Sequence, residues 1–374
     1  MEWPGASTCA SSLPTSRRAS NMDEYVTELK NLHPAYFAAV MATGIVSIAA
    51  NLVGFNLIAV ALFYLNVALF LSLWLLVGAR LIWFRKEVLA DLTDHNRGVG
   101  FFTTVAGTCV LGSQFVLISH DYLIGRILWA LGIALWVTLT YAIFTGLTIK
   151  EEKPPLAEGI NGGWLVSVVA TQAVAVLGGA LAPAFADHLE VLNFFTLCMW
   201  LAGGMLYIWL IALIFYRYTF FKFLPSDCAP PYWINMGAVS ISTLAGTTLI
   251  ANAHGSALLQ QVLPFLKGFT LLFWATGTWW IPMLFILGIW RHVYKRYPLA
   301  YDPLYWGLVF PLGMYTTCTY QLAMVMNLPL LLGIPYCFVY VALVAWAVVF
   351  SGLVGNLLSR FTWAQRFLPL SKAP

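Results

Sequence analysis

Charged side chains are scarce in this chain: Asp, Glu, Lys and Arg together make up 9% of its 374 residues, against 61% hydrophobic ones. A soluble domain carries about 25% charge, so the composition excludes one and points to an integral membrane protein. There is no basic run and the net charge is only +4, which excludes a nucleic-acid partner. No two of the six cysteines form a C-x-x-C pair, and Cys109, Cys198, Cys318 and Cys337 fall inside apolar stretches. Neither a disulfide framework nor a zinc site is therefore expected. The first 22 residues are rich in Ser, Ala and Pro and hold no apolar core of the kind a signal peptide needs. Residues 1–32 read as a mobile cytoplasmic tail, in which Arg17-Arg18-Ala19-Ser20 matches a basophilic kinase site.

A second absence lies inside the apolar stretches. A membrane-spanning helix needs about 20 predominantly apolar residues. Ten such stretches occur, near 35–54, 57–80, 99–118, 124–148, 163–182, 191–215, 233–252, 266–290, 304–327 and 331–354. None holds an Asp, Glu, Lys, Arg or His at depth; Arg80, Arg126 and Lys267 sit at stretch ends, where their stems reach the interface. This excludes a built-in proton relay of buried carboxylates or histidines and an acidic ring of the cation-channel kind. It leaves a neutral path suited to an uncharged solute or a small anion.

Short links join helices 1 and 2 or 9 and 10, and longer charged links separate the pairs, which reads as five helical hairpins in tandem. With ten spans, 17 of the 19 cations fall on the side of the amino terminus and only Arg126 and Lys267 fall opposite. Lys and Arg accumulate in cytoplasmic loops, so both termini are expected in the cytoplasm. The transmembrane domain then covers 33–356, followed by a short cytoplasmic tail, 357–374. Ser, Thr, Asn and Gln number 23 in the odd helices and 12 in the even ones. That bias predicts five inner helices around a polar axis and five outer helices facing lipid. Thr43 and Ser47, Thr104 and Thr108, Thr171, and Thr243 and Thr247 lie near mid-span of inner helices and are candidate pore-lining residues. The alternative for each hydroxyl is a bond to its own helix carbonyl four residues back.

One stretch breaks the helical rule. In "WGLVFPLGMYTT" (306–317) Phe310 directly precedes Pro311. Proline there cannot donate to the carbonyl at 307 and is expected to kink the helix, and a freed carbonyl at membrane depth is tolerated only against protein or a water-filled cavity. If that face is the axis, the Phe310 ring plugs it, and an apolar constriction also stops ions by dewetting. The alternative is a packing aromatic beside an ordinary kink. Elsewhere, Asp91, Asp94 and His95 in "DLTDHNRG" (91–98) have the i, i+3, i+4 spacing of a metal site or acid/base pair. No second cluster supplies further ligands, so no metal, cofactor or catalytic residue is expected.

Four segments taken together, "PAYFAAVMATGIVSIA" (34–49), "NGGWLVSVVATQAVAVLGG" (161–179), "PPYWINMGAVSISTLAG" (230–246) and "YWGLVFPLGMYTTCTY" (305–320), resemble the tellurite-resistance/dicarboxylate transporter family. That family includes bacterial tellurite-resistance channel homologues, fungal malate permeases and plant slow anion channels. The resemblance implies an all-α membrane protein with five hairpins in quasi-fivefold arrangement around a central pore, and usually a homotrimer. It also implies a pore-occluding phenylalanine in the ninth helix, a position that Phe310, before Pro311, matches. The expected function is passage of small anions, inorganic ones such as chloride and nitrate or C4-dicarboxylates such as malate, across the plasma (inner) membrane. The alternatives are a proton-coupled carrier for malate or a related acid, and a membrane enzyme using Asp91, Asp94 and His95.

Overall fold

The computed structural model describes residues 26–366 and the side chains of 26–359. The Arg17-Arg18-Ala19-Ser20 segment and parts of both tails lie outside the described residues. Among the described residues there is no strand. Ten long helices follow one another: α1 (Ala38–Leu52), α2 (Asn56–Trp83), α3 (Phe102–Leu117), α4 (Tyr122–Ile149), α5 (Val166–Ala180), α6 (Leu189–Phe220), α7 (Ile234–Asn252), α8 (Leu263–Ile289), α9 (Trp306–Val325) and α10 (Gly333–Arg366). All but α9 belong to the nine described spans that are long and apolar enough to cross a membrane. The 20 residues of α9 are less apolar because Tyr315, Thr316, Thr317, Thr319, Tyr320 and Gln321 lie among them.

Odd and even helices differ in burial. The apolar windows of α1, α3, α5 and α7 are 78–94% buried, whereas those of α2, α4, α6, α8 and α10 are 17–44% buried. In α9 the residues from Trp306 to Thr319 are buried apart from Leu308. The even helices also run several residues past the apolar stretches that mark them, as in Leu189–Phe220 against an expected 191–215. Hydropathy detects the hydrocarbon-facing portion, while the helix continues into the interface, where Arg80 and Arg217 in last turns complement the negative end of the dipole.

Each odd helix packs on the even helix that follows it. The odd helices touch one another in the closed cycle α1, α3, α5, α7, α9 and back to α1. Each odd helix is entered through a 3-10 turn: Pro34–Phe37, Gly98–Phe101, Gly162–Leu165, Pro230–Trp233 and Pro303–Tyr305. Three of these begin with proline, whose missing N–H and fixed φ suit a first turn. Side chains cap three of them: His33 Nδ1 accepts from Ala35 N at 3.1 Å, Asn161 Oδ1 from Gly163 N at 2.8 Å, and Asp302 Oδ1 from Leu304 N at 2.8 Å. The five turns contact one another in the same cyclic order and form a collar.

A second cyclic pattern joins outer helices to inner ones. Asn66 Nδ2 on α2 donates to Gln114 Oε1 on α3 (2.6 Å), and Trp136 Nε1 on α4 to Thr171 Oγ1 on α5 (2.8 Å). Trp200 Nε1 on α6 donates to the Ser242 carbonyl on α7 (2.8 Å), and Trp274 Nε1 on α8 to Thr319 Oγ1 on α9 (3.0 Å). Trp346 Nε1 on α10 closes the circle on Thr43 Oγ1 of α1 (3.0 Å). Every outer helix thus donates at least one side-chain hydrogen bond to the inner helix of the next hairpin.

Candidate functional site

Two cavities lie along the cycle of odd helices, one at each end. The first, of about 640 Å³, sits inside the collar and is lined by residues of all five entry turns and the first turns of all five odd helices. Its ionisable lining groups are His33, Glu158, Arg217, Lys222 and Asp227. Arg217 is held by the Ala157 carbonyl (Nε, 2.7 Å), by the Tyr232 hydroxyl (2.8 Å) and, at 3.7 Å, by Asp227. The distal cavity, of about 260 Å³, is lined by the C-terminal halves of the same five helices; its polar groups include Ser113, Thr247, Thr248, Asn252, Thr317 and Gln321. No Asp, Glu, Lys, Arg or His lines it.

The register between the cavities is the same on every odd helix. Ala38, Thr103, Val166, Ile234 and Gly307 line the collar cavity, and Ile45, Val110, Ala173, Ile241 and Met314, each seven residues on, line the distal one. Seven residues are about two helical turns, so each pair shares a face. Three residues into that step stand Met41, Ala106, Val169, Gly237 and Phe310. Phe310 is the one aromatic in this layer, opposite small or aliphatic side chains, and it is 0% exposed.

The contacts of α9 fix the direction of Phe310. At about 100° per residue, Pro311 lies to one side of it and faces Gly237 of α7, while Gly313 lies to the other and faces Ile45 and Val46 of α1. Tyr315 and Thr319, on roughly the opposite side of the wheel, meet the outer helices. Tyr315 shares a 2.8 Å hydrogen bond with Thr278 of α8 and packs on Phe338 of α10, and Thr319 accepts from Trp274. Phe310 therefore points between its two inner neighbours, away from the outer layer. The helix runs unbroken from Trp306 to Val325, with Pro311 inside it, so the kink expected at Pro311 does not end the helix.

Of the seven hydroxyl candidates, Thr247 lines the distal cavity. The register directs the other six elsewhere. Thr43 and Thr171 accept indole N–H groups from α10 and α4, and Ser47 donates to the Ala59 carbonyl of α2 at 2.7 Å. Thr104, Thr108 and Thr243 donate to Phe101, Thr104 and Val239 carbonyls of their own helices or entry turns. Thr103, Ser113, Thr317 and Gln321 line cavities and were not singled out from the sequence. For two of them a signal existed: Thr317 and Gln321 continue the face that starts at Gly307, Phe310 and Met314.

Asp91, Asp94 and His95 have other partners. Both Asp91 oxygens are engaged, one by Arg80 at 2.7 Å and one by Arg97 at 2.7 Å. The same arginines reach the Lys30, Asn31 and Leu32 carbonyls, so this clasp pins the segment leading into α1. Asp94 Oδ1 accepts from Asn96 N and Arg97 N, closing a turn, and the His95 ring lies beside Trp164. Just beyond the clasp, burial first and then the Arg97 guanidinium hold His33 below the ordinary imidazole value; Asp91 and Asp302 oppose this and Arg80 adds to it.

Two cavities at opposite ends of the odd helices, with a buried layer that holds Phe310 between them, are the setting in which the sequence comparisons are decisive. The family model described as voltage-dependent anion channel (SLAC1) matches residues 31–354. The chain belongs to this family. It is the anion channel and tellurite-resistance/dicarboxylate transporter family that the four sequence segments resemble. An uncharacterized transporter of Methanocaldococcus jannaschii is 32% identical over 330 residues, covering 86% of this chain and 92% of that one. An uncharacterized membrane protein of Mycobacterium tuberculosis is 37% identical over 153 residues, covering 41% of this chain and 77% of its own. A sulfite efflux pump of Trichophyton rubrum is 23% identical over 358 residues, covering 89% and 92%. Membership in the anion channel family makes the protein a multi-pass membrane protein of an anion-transporting kind.

Proposed function

We propose that the ten helices cross the plasma (inner) membrane as five hairpins in quasi-fivefold array around one pore per chain, with both termini cytoplasmic, and that Phe310 is the gate of an anion channel. The observation that carries this reading is the shared seven-residue register between the two cavities, with Phe310 as its single aromatic. Pro311 belongs to the gate because its ring seats α9 against α7. Thr247, Thr317, Gln321 and Ser113 supply hydroxyl and amide dipoles on the distal side. Five helix N-termini converge on the collar cavity, and the positive end of each macrodipole favours an anion there without any fixed charge at depth. The 17-to-2 distribution of cations puts the collar on the cytoplasmic side. The family resemblance adds assembly as a homotrimer.

The permeant species are small inorganic anions, chloride and nitrate among them, or C4-dicarboxylates such as malate; similarity to sulfite efflux pumps adds sulfite. Flux of chloride, nitrate, sulfite and malate into proteoliposomes of purified protein, with and without a pH gradient, tests the reading. Conductive flux that persists without the gradient is expected. Saturable malate uptake that vanishes with the gradient would replace the channel by a proton-coupled carrier.

A further inference from the structure

Resting on the gate reading above, the geometry points to Gly237 and Gly313 as positioning residues that set where the Phe310 ring stands in the pore. Neither lies on the ring itself. Gly237 belongs to α7 and faces one flank of α9, and Gly313, one turn beyond the gate on α9, forms the other flank, which faces α1.

A Cβ at position 237 would lie 2.7 Å from Pro311 Cγ, 3.2 Å from its Cβ and 3.4 Å from its Cα. The pyrrolidine ring is closed onto the backbone and has no rotamer in which to withdraw, so added volume there moves the α9 backbone. On the other flank a Cβ at 313 would lie 3.0 Å from Ile45 Cγ2, 3.0 Å from Val46 Cγ2 and 3.2 Å from Val46 N. The last of these is main chain and cannot rotate aside. Pro311 and Gly313 bracket Phe310 in sequence and in direction, one towards α7 and one towards α1. Absent side chains on both flanks thus let α9 sit deep enough for the ring to close a layer otherwise made of Met41, Ala106, Val169 and Gly237. A methyl group at either position tilts or withdraws α9 and carries the ring off its seat, while Phe310 itself is unaltered. Other helical glycines are as tightly packed, but at Gly44, Gly112, Gly178 and Gly246 the nearest atoms all belong to side chains, whereas at 237 and 313 they include main-chain atoms of α9 and α1. Around Gly288 of α8, by contrast, nothing lies within 4 Å of a built Cβ.

The test is a mutant cycle on purified channels in planar bilayers, with thermal stability measured in parallel. Gly237→Ala is expected to raise basal anion conductance several-fold in the wild-type background and to change it no further once Phe310→Ala is present, because it acts through the ring. Adding Pro311→Ala to Gly237→Ala is expected to bring conductance back towards wild type by removing the ring atom that the methyl meets. Gly288→Ala is expected to behave as wild type. If Gly237→Ala does not assemble, Gly313→Ala carries the same cycle from the α1 side. A Gly237→Ala channel that conducts as wild type, or one whose conductance changes by the same factor with and without Phe310, overturns the positioning role and leaves the gate standing. A Phe310→Ala channel that conducts as wild type overturns the gate and this inference with it.

Discussion

Phe310 and His33 show what single side chains contribute at the two levels of the molecule. Phe310 stood out in the sequence through the proline after it, which marks a place where a membrane helix needs protein around its backbone, and through the family resemblance; the structure buries it. The hydroxyls were not legible in this way: Thr43 and Thr171 sit at mid-span like lining residues, yet each is tied to a tryptophan of another hairpin, Trp346 and Trp136. His33 works at the rim, where its Nδ1 caps the first entry turn. With its pKa lowered by burial and Arg97, the unfolded chain binds the proton first. The cap's contribution is therefore complete above about pH 6.5 and is lost as pH falls below that towards the folded-state value. A thermal melt should drop on acidification by the equivalent of about 1 kcal/mol, and His33→Asn, which keeps a capping oxygen, should remove most of that dependence. Asp91→Asn should be more damaging. It leaves buried Arg80 without its carboxylate, a loss of about 3–5 kcal/mol for a fully buried pair, at the lower end here because Arg97 keeps 33% of its side chain in solvent. A calorimetric melt of the variant in detergent checks this.

Helices divide into a more buried and a less buried class, and the summed Ser, Thr, Asn and Gln counts of odd and even helices already pointed to that division, since lipid-facing helices have no use for polar side chains that cannot find partners. The entry turns and the donor from each outer helix escaped notice, although they recur along the chain. Their residue types vary: the donor is Asn66 once and Trp136, Trp200, Trp274 or Trp346 otherwise, and the capping residue is His33, Asn161 or Asp302. The repeat is therefore in geometry and not in letters, so a scan for similar letters passes over it. These cross-hairpin bonds hold inner helices in register with their outer neighbours. Trp136→Phe and Trp346→Phe should each lower stability by about 0.6 kcal/mol, as membrane hydrogen bonds commonly do, and the two should add because the sites share no partner. Thermal melts of the single and double variants test that additivity.

For the whole molecule, the arrangement of charge and dipole matters more than any one group. The five N-termini at the collar favour anions, and Arg217 is only loosely neutralised by Asp227 across 3.7 Å. Asp227→Asn should therefore raise anion conductance at low ionic strength, with the gain shrinking as salt shortens the Debye length to below about 8 Å; conductance measured across a salt series reads this directly. The all-helical membrane class was readable from composition because a bilayer restricts the choice of fold so strongly, whereas the collar and the two cavities depend on how five separate segments meet. The central claim is that the Phe310 ring closes the pore by its volume. Bilayer conductance of purified channels carrying Phe, Leu, Ala and Gly at position 310 tests it most directly. Conductance is expected to rise in that order, several-fold from Phe to Ala, with assembly state and melting behaviour unchanged; conductance indifferent to the side chain at 310 in folded protein would contradict the account.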